Sequence, residues 1–141
     1  MFEKSSLRRI VGGYINKKTM FGLFKKRTYQ IDFSENNKER FTALLTEIHE
    51  ILRDSAYSAQ ANWIMQILSS IQNEDKEGFK QKVISADLLG GSGSVIDVWI
   101  EDENKMERLD YLMNDFLELS VKSGLNHSAL KSSMTRKIKN N

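Results

Sequence analysis

The 141-residue chain has no cysteine and no proline. The first absence excludes a disulfide framework, a thiolate zinc site, an Fe–S cluster and a cysteine nucleophile. The second favours long uninterrupted helices, because no residue forces a kink. No apolar run approaches the roughly 18–20 residues of a membrane-spanning helix, so an integral membrane protein is not expected. Internal repeats, low-complexity tracts and linkers are missing too. What remains is a globular composition, 40% hydrophobic and 28% charged. It sets the chain apart from disordered and collagen-like sequences and suits one domain with its own core.

Charge is spread unevenly. Residues 1–30 carry eight bases (Lys4, Arg8, Arg9, Lys17, Lys18, Lys25, Lys26 and Arg27) against Glu3 alone, a net +7. Residues 131–141 add Lys131, Arg136, Lys137 and Lys139 with no acid, a net +4. The body between them, residues 31–130, holds 9 bases and 18 acids and stands at −9. Such a body repels nucleic acid over most of its surface and attracts cationic partners. At physiological salt the field reaches about 8 Å and acts mainly on encounter rates. Simple solubility accounts for the same charge, and both readings stand.

In the basic start, Leu7, Ile10, Val11, Tyr14 and Ile15 recur at helical spacing among the lysines and arginines. Gly12-Gly13 interrupts them at about 1 kcal/mol per glycine relative to alanine. A basic amphipathic stretch of this kind can lie on an anionic membrane. It can equally dock on the acidic body as an ordinary helix, or stay poorly ordered. Met20-Phe21-Gly22-Leu23-Phe24-Lys25-Lys26 has the look of a protein start, so part of 1–19 is expected to be dispensable. The segment does not fit a secretory signal, because its apolar stretch is short and broken by Arg and Lys.

From Asp32 the pattern sharpens into helices. Asp32 or Ser34 can cap a helix over residues 35–53, with Glu35 at its positive end and Phe41, Leu44, Leu45, Ile48, Ile51 and Leu52 as the apolar stripe. Asp54-Ser55 supplies a break and a new cap. Tyr57, Ala61, Trp63, Ile64, Ile67, Leu68 and Ile71 then mark a helix over 56–72. Asn73 is expected to cap a shorter helix with Glu74, Asp75 and Glu77 in its first turn and Phe79, Val83 and Ile84 inward. The next long helix follows Asp102 and ends at Gly124-Leu125, a left-handed glycine stop with an apolar residue packed behind it. Leu130, Met134 and Ile138 suggest a last, basic helix with a fraying end. The fold class expected is all-α or nearly so: a compact bundle of four to five helices, with a glycine-rich turn and a short extended segment before the last long helix.

That turn lies in Leu88-Leu89-Gly90-Gly91-Ser92-Gly93-Ser94-Val95-Ile96-Asp97-Val98-Trp99-Ile100. Gly90, Gly91 and Gly93 allow positive φ or close backbone approach. Ser94 and Asp97 have capping-box spacing, so a helical turn could start at Val95, whereas Val95, Ile96, Val98 and Ile100 are β-branched and favour extension. The expectation is a tight turn, then a short extended or irregular stretch with Trp99 or Ile100 plugging the core. A phosphate cradle of backbone N–H groups is the alternative, but no Gly-Lys-Ser/Thr or preceding buried strand accompanies it and the nearest charges are acidic. Gly90-Gly91-Ser92-Gly93-Ser94-Val95-Ile96-Asp97-Val98 before a long amphipathic helix resembles a motif, Gly-Gly-x-Gly-Ser-apolar-x-Asp-apolar, of a bacterial family of small, mainly helical proteins of unassigned function. The resemblance covers about residues 35–124 and departs at Val95-Ile96, where the family tends towards Leu-Asn. It implies a cytoplasmic bacterial protein of the type encoded beside secreted toxins as an immunity protein, and it carries over no catalytic residue.

Catalytic chemistry finds little material. His49, Glu50 and Asp54 can be drawn as a metal site, but no His-Glu-x-x-His pair or third ligand is placed beside them, and a solvated helix face explains them. His127 fits a polar turn. Asp97, flanked by Ile96 and Val98, is the one candidate acid–base carboxylate; accepting backbone N–H bonds in the glycine turn would keep it ionised and structural. The serines have neither a nucleophile elbow nor a histidine placed to activate them. A non-enzymatic protein without metal or cofactor is expected.

The last long helix carries the sharpest functional signal. With Leu109 at 0° and 100° per residue, Met106, Met113, Phe116 and Ser120 fall on one side. Glu103, Glu107, Asp110, Asn114 and Glu118 fall on the opposite side, with Tyr111 and Asp115 next to them. Like charges one turn apart cost a few tenths of a kcal/mol each, so helix stability does not explain the band. A tyrosine ringed by carboxylates suits a basic protein partner such as a toxin domain, the acids replacing substrate phosphates. The function expected is an immunity-type inhibitor. The alternative is a peripheral membrane or scaffold factor working through residues 1–30.

Overall fold

The computed structural model describes residues 30–140, with side chains as far as Met134. The expectations for residues 1–29, including the amphipathic stretch and the second start at Met20, lie outside the described residues, as does the side chain of Ile138. The architecture is all-α: α1 Glu35–Asp54, α2 Ser58–Gln72, α3 Lys76–Val83, α4 Ala86–Leu89, a 3-10 turn Val95–Asp97, α5 Glu103–Lys122 and α6 Ser128–Asn140. Among the described residues there is no strand, and no helix is long and apolar enough to cross a membrane.

α1, α3 and α5 start where a polar side chain takes an orphan N–H, whereas α2 behind Tyr57 and α4 behind Ser85 have no side-chain cap. Ser34, in extended conformation, accepts the Asn37 N–H at 3.4 Å. Asp32 takes the Ser34 N–H instead, at 2.9 Å. Ser55 is not the cap of α2: it closes α1, its buried hydroxyl has no partner among the described residues, and Ala56 turns the chain at φ 68°. Asn73 likewise closes α2, and Asp75 is the residue that caps α3, accepting the Gly78 N–H at 2.9 Å. Glu74 at φ 54° rotates the chain between the two, so Glu74 and Asp75 precede the first turn and only Glu77 lies in it. The four-residue α4, absent from the sequence expectation, brings Leu88 and Leu89 into the core.

The glycine segment does turn the chain, but with its own chemistry. Gly93 stands at φ 88°, and a Cβ on Gly90 would lie 2.6 Å from the Ala86 carbonyl oxygen; Gly91 has open space and needs neither. No capping box forms. The Ser94 hydroxyl donates back to the Gly90 carbonyl, its N–H donates to the Gly91 carbonyl at 3.0 Å, and Val95–Asp97 winds a 3-10 turn. Asp97 is exposed and accepts no backbone N–H among the described residues, against expectation.

Gly124 ends α5 at φ 123°, with Leu125 fully buried behind it and its N–H on the Ser120 carbonyl at 3.0 Å, the six-to-one bond of a glycine stop. The entering chain crosses this stop. Asp32 N–H donates to the Ser123 carbonyl at 2.7 Å, and a Cβ on Gly124 would lie 2.3 Å from the Gln30 carbonyl oxygen. Ile31 and Phe33 alternate inward on either side of exposed Asp32. α1 packs against α2 and α5, α3 packs on α2, and α6 returns against α5. At the centre Phe33, Phe41, Phe79 and Phe116 meet edge to face, with centroids 5.2–6.4 Å apart. Leu130 and Ser133 are buried, so α6 carries the charge boundary at 130/131 through its own packed face.

Candidate functional site

α5 buries one side and leaves the other to solvent. Asp102 fixes its start by accepting the Asn104 and Lys105 N–H groups at 3.0 and 3.2 Å. Leu109, Leu112, Met113, Phe116 and Ser120 turn inward, Met106 is half-buried, and Leu117 and Leu119 widen the buried side towards the end. Glu103, Glu107 and Glu118 are exposed, Asp110, Asn114 and Asp115 are half-buried, and Tyr111 is 57% exposed.

The segment just before α5 resolves which of Trp99 and Ile100 enters the core: Ile100 does, and Trp99 joins the surface. Val98–Ile100 is extended, so its side chains alternate: Val98 and Ile100 enter the core and Trp99 points out, 66% exposed. The backbone beneath the indole is held twice. The Tyr57 hydroxyl donates to the Trp99 carbonyl, and the Ile100 N–H lies 3.1 Å from Met106 Sδ. The signal was present in the sequence as an in-out-in alternation of Val98, Trp99 and Ile100.

Between this segment and the first turns of α5 lies a groove of about 970 Å³. Trp99, Ile100 and Glu101 form one side; Glu103, Asn104, Met106, Glu107, Asp110, Tyr111 and Asn114 form the other. Four carboxylates and two exposed aromatic rings therefore share one depression, and among the described residues no Lys or Arg lines it. Asn114 Oδ1 is buried without a hydrogen-bond partner among the described residues. A smaller hollow, about 380 Å³, shares Trp99, Ile100 and Glu101 and includes Lys105. A hollow of about 830 Å³ along α1 has no exposed aromatic, and its Glu35, Lys38 and Glu47 are engaged in ion pairs.

Of the predicted α5 set, Glu103, Glu107, Asp110, Tyr111 and Asn114 come together in the groove, while Asp115 and Glu118 do not. Glu118 pairs with Lys122 at 3.5 Å, and Asp115 acts electrostatically on Arg108. Arg108 lies outside the predicted set. Its Nε and Nη2 donate to Glu47 Oε2 and Oε1 at 2.7 and 2.8 Å, clamping α5 to α1, while the guanidinium carbon lies 5.5 Å from the Tyr111 ring centre. The Arg108 hydrogen bonds hold the Glu47 carboxyl below its ordinary range. Arg108 in turn is held above its own range, first by the hydrogen bond to Glu47, with Tyr111 and Asp115 adding to the effect.

His49 is half-buried, and Asp54 pairs with Arg53 at 3.2 Å. Among the described residues no group of three His, Cys, Asp or Glu side chains could hold a metal ion. His127 Nδ1 accepts the Ala129 N–H at 3.0 Å at the start of α6, a capping role. Comparison with family models, curated proteins and solved structures gave no match to this chain.

Proposed function

We propose that this chain is a non-enzymatic binding protein of the immunity type, which neutralises a cationic toxin or effector by covering its basic surface with the Trp99–Tyr111 groove. One observation carries the reading: two exposed aromatic rings set among four carboxylates, with no Lys or Arg in the lining among the described residues. Rigid aromatic anchors surrounded by complementary charge are what binding hot spots are made of. Glu103 suits the positive end of α5, but Glu107 stands one turn from both Glu103 and Asp110, and like charges at that spacing oppose the helix. In a cationic partner they would occupy the places of substrate phosphates and raise the encounter rate. The resemblance of residues 90–98 to small helical bacterial proteins agrees with this role and with a cytoplasmic site of action.

Growth protection tests it. The product of the gene beside this chain's own is induced in a bacterial host together with wild-type chain or with the Glu107→Ala/Asp110→Ala/Tyr111→Ala variant, both verified as folded by circular dichroism. Protection by the wild type and its loss in the variant are expected. Equal protection by both rejects this face, and no protection by the wild type rejects the immunity reading.

A further inference from the structure

The surface around Tyr111 contains a filled arrangement beside an open one. On one side of the ring a carboxylate, Glu47, holds the Arg108 guanidinium 5.5 Å from the ring centre. On the groove side Glu107 lies one helical turn before Tyr111, so carboxylate and ring are again neighbours, and the ring remains 57% exposed. Trp99, 66% exposed above an anchored backbone, lines the same groove. Carboxylate and ring are thus repeated, and among the described residues no Lys or Arg lines the groove between them.

We propose, resting on the binding role above, that the groove takes an arginine side chain of the partner, its guanidinium against the Trp99 and Tyr111 rings and its N–H edge on Glu107. The choice of arginine follows from shape. A guanidinium is planar, so it can lay its face on a ring while its edge donates two parallel hydrogen bonds to a carboxylate. A lysine ammonium is a compact, strongly hydrated point charge and cannot satisfy both at once. Indole is the best of the aromatic faces for a cation, and pinning of the Trp99 carbonyl by Tyr57 lowers the ordering cost of using it. The surface already holds one guanidinium in this manner, at Arg108.

The test uses the full chain, labelled with nitrogen-15, and three blocked tripeptides: Gly-Arg-Gly, Gly-Lys-Gly and Gly-citrulline-Gly. The arginine peptide is expected to shift the Trp99 indole N–H and the Asn114 side-chain amide saturably, leaving the Trp63 indole unmoved. It should bind about two- to fivefold more tightly than the lysine peptide, the span of an exposed cation–π contact. Citrulline, uncharged but of the same shape, should leave both signals in place. Trp99→Ala and Tyr111→Ala should each weaken the arginine peptide by a similar factor, and Glu107→Gln should remove its preference over lysine. Equal affinity for arginine and lysine overturns the proposal, as does saturation at residues away from the groove. A Trp99 indole shielded from acrylamide before any peptide is added would mean that the chain's own basic residues 1–29 hold the groove, and would overturn it as well. Growth protection that persists while the arginine preference is absent separates this failure from failure of the immunity reading.

Discussion

Two groups of aromatic rings divide this molecule between stability and recognition. Phe33, Phe41, Phe79 and Phe116 meet edge to face in the core, each ring finding its partners within the fold. Trp99 and Tyr111 stand more than half exposed on a surface whose backbone is just as well anchored. The same kind of side chain is thus spent on cohesion in one place and held ready in the other. What separates them is position. The phenylalanines sit on inward stripes of extended or helical segments, whereas Trp99 and Tyr111 fall on the outward phase of the same segments.

That contrast is open to direct attack, beginning at the core. Phe79 touches all three other phenylalanine rings and is fully buried. Phe79→Ala should cost about 3–5 kcal/mol in urea unfolding at neutral pH. A loss under 1 kcal/mol would show that the ring cluster does not hold the bundle together. Asp102→Ala removes the acceptor of two N–H groups at the start of α5 and should cost about 1 kcal/mol. Amide exchange should quicken at Asn104 and Lys105 and leave α2 unchanged. Trp99→Ala and Tyr111→Ala should change stability by no more than about 0.5 kcal/mol each. A loss comparable to that of Phe79→Ala would erase the distinction between the two groups.

The smallest effect concerns pH. The Glu47 carboxyl titrates below its ordinary value of 4.5 in the folded chain because Arg108 hydrogen-bonds its charged form. Its contribution is therefore complete above the unfolded value and is lost as pH falls through the folded one. Both partners of the pair are well exposed, so solvent screening keeps the contribution slight. The stability difference between wild type and Glu47→Gln should shrink on acidification below about 4.5. A difference that grows towards acid would mean that Glu47 is not held charged by Arg108.

Much of the bundle was readable because one period governs it. Phe41, Leu45, Ile48 and Leu52 recur on a helical stripe and are all buried, and Gly124-Leu125 stops α5 in the way its sequence implies. The joints were harder. Asn73 and Asp75 are both good cap residues two positions apart, and the choice is made by Glu74 adopting positive φ, a tertiary outcome that places its carboxylate 3.1 Å from Lys38 on α1. Ser55 lost its capping role the same way, at the positive φ of Ala56. The α5 face was legible for Glu103, Glu107, Asp110, Tyr111 and Asn114, because a helical wheel needs only their spacing. Arg108 could not be placed that way, since its partner Glu47 is 61 positions distant in sequence. Hydrophobicity alone left Trp99 and Ile100 as equal candidates for the core, and alternation separates them: in an extended triplet with Val98 and Ile100 inside, the middle residue has one direction left.

The crossing of Gln30 over Gly124 has a practical corollary for anyone handling this protein. Gln30, where the described residues begin, lies beside the C-terminal end of α5, and a helix of 20 residues places its other end about 30 Å away. A fluorophore or fusion partner joined directly at Gln30 therefore starts about a helix length from the Trp99 rim. A bait immobilised at that crossing can accordingly keep its acidic mouth open to whatever flows past.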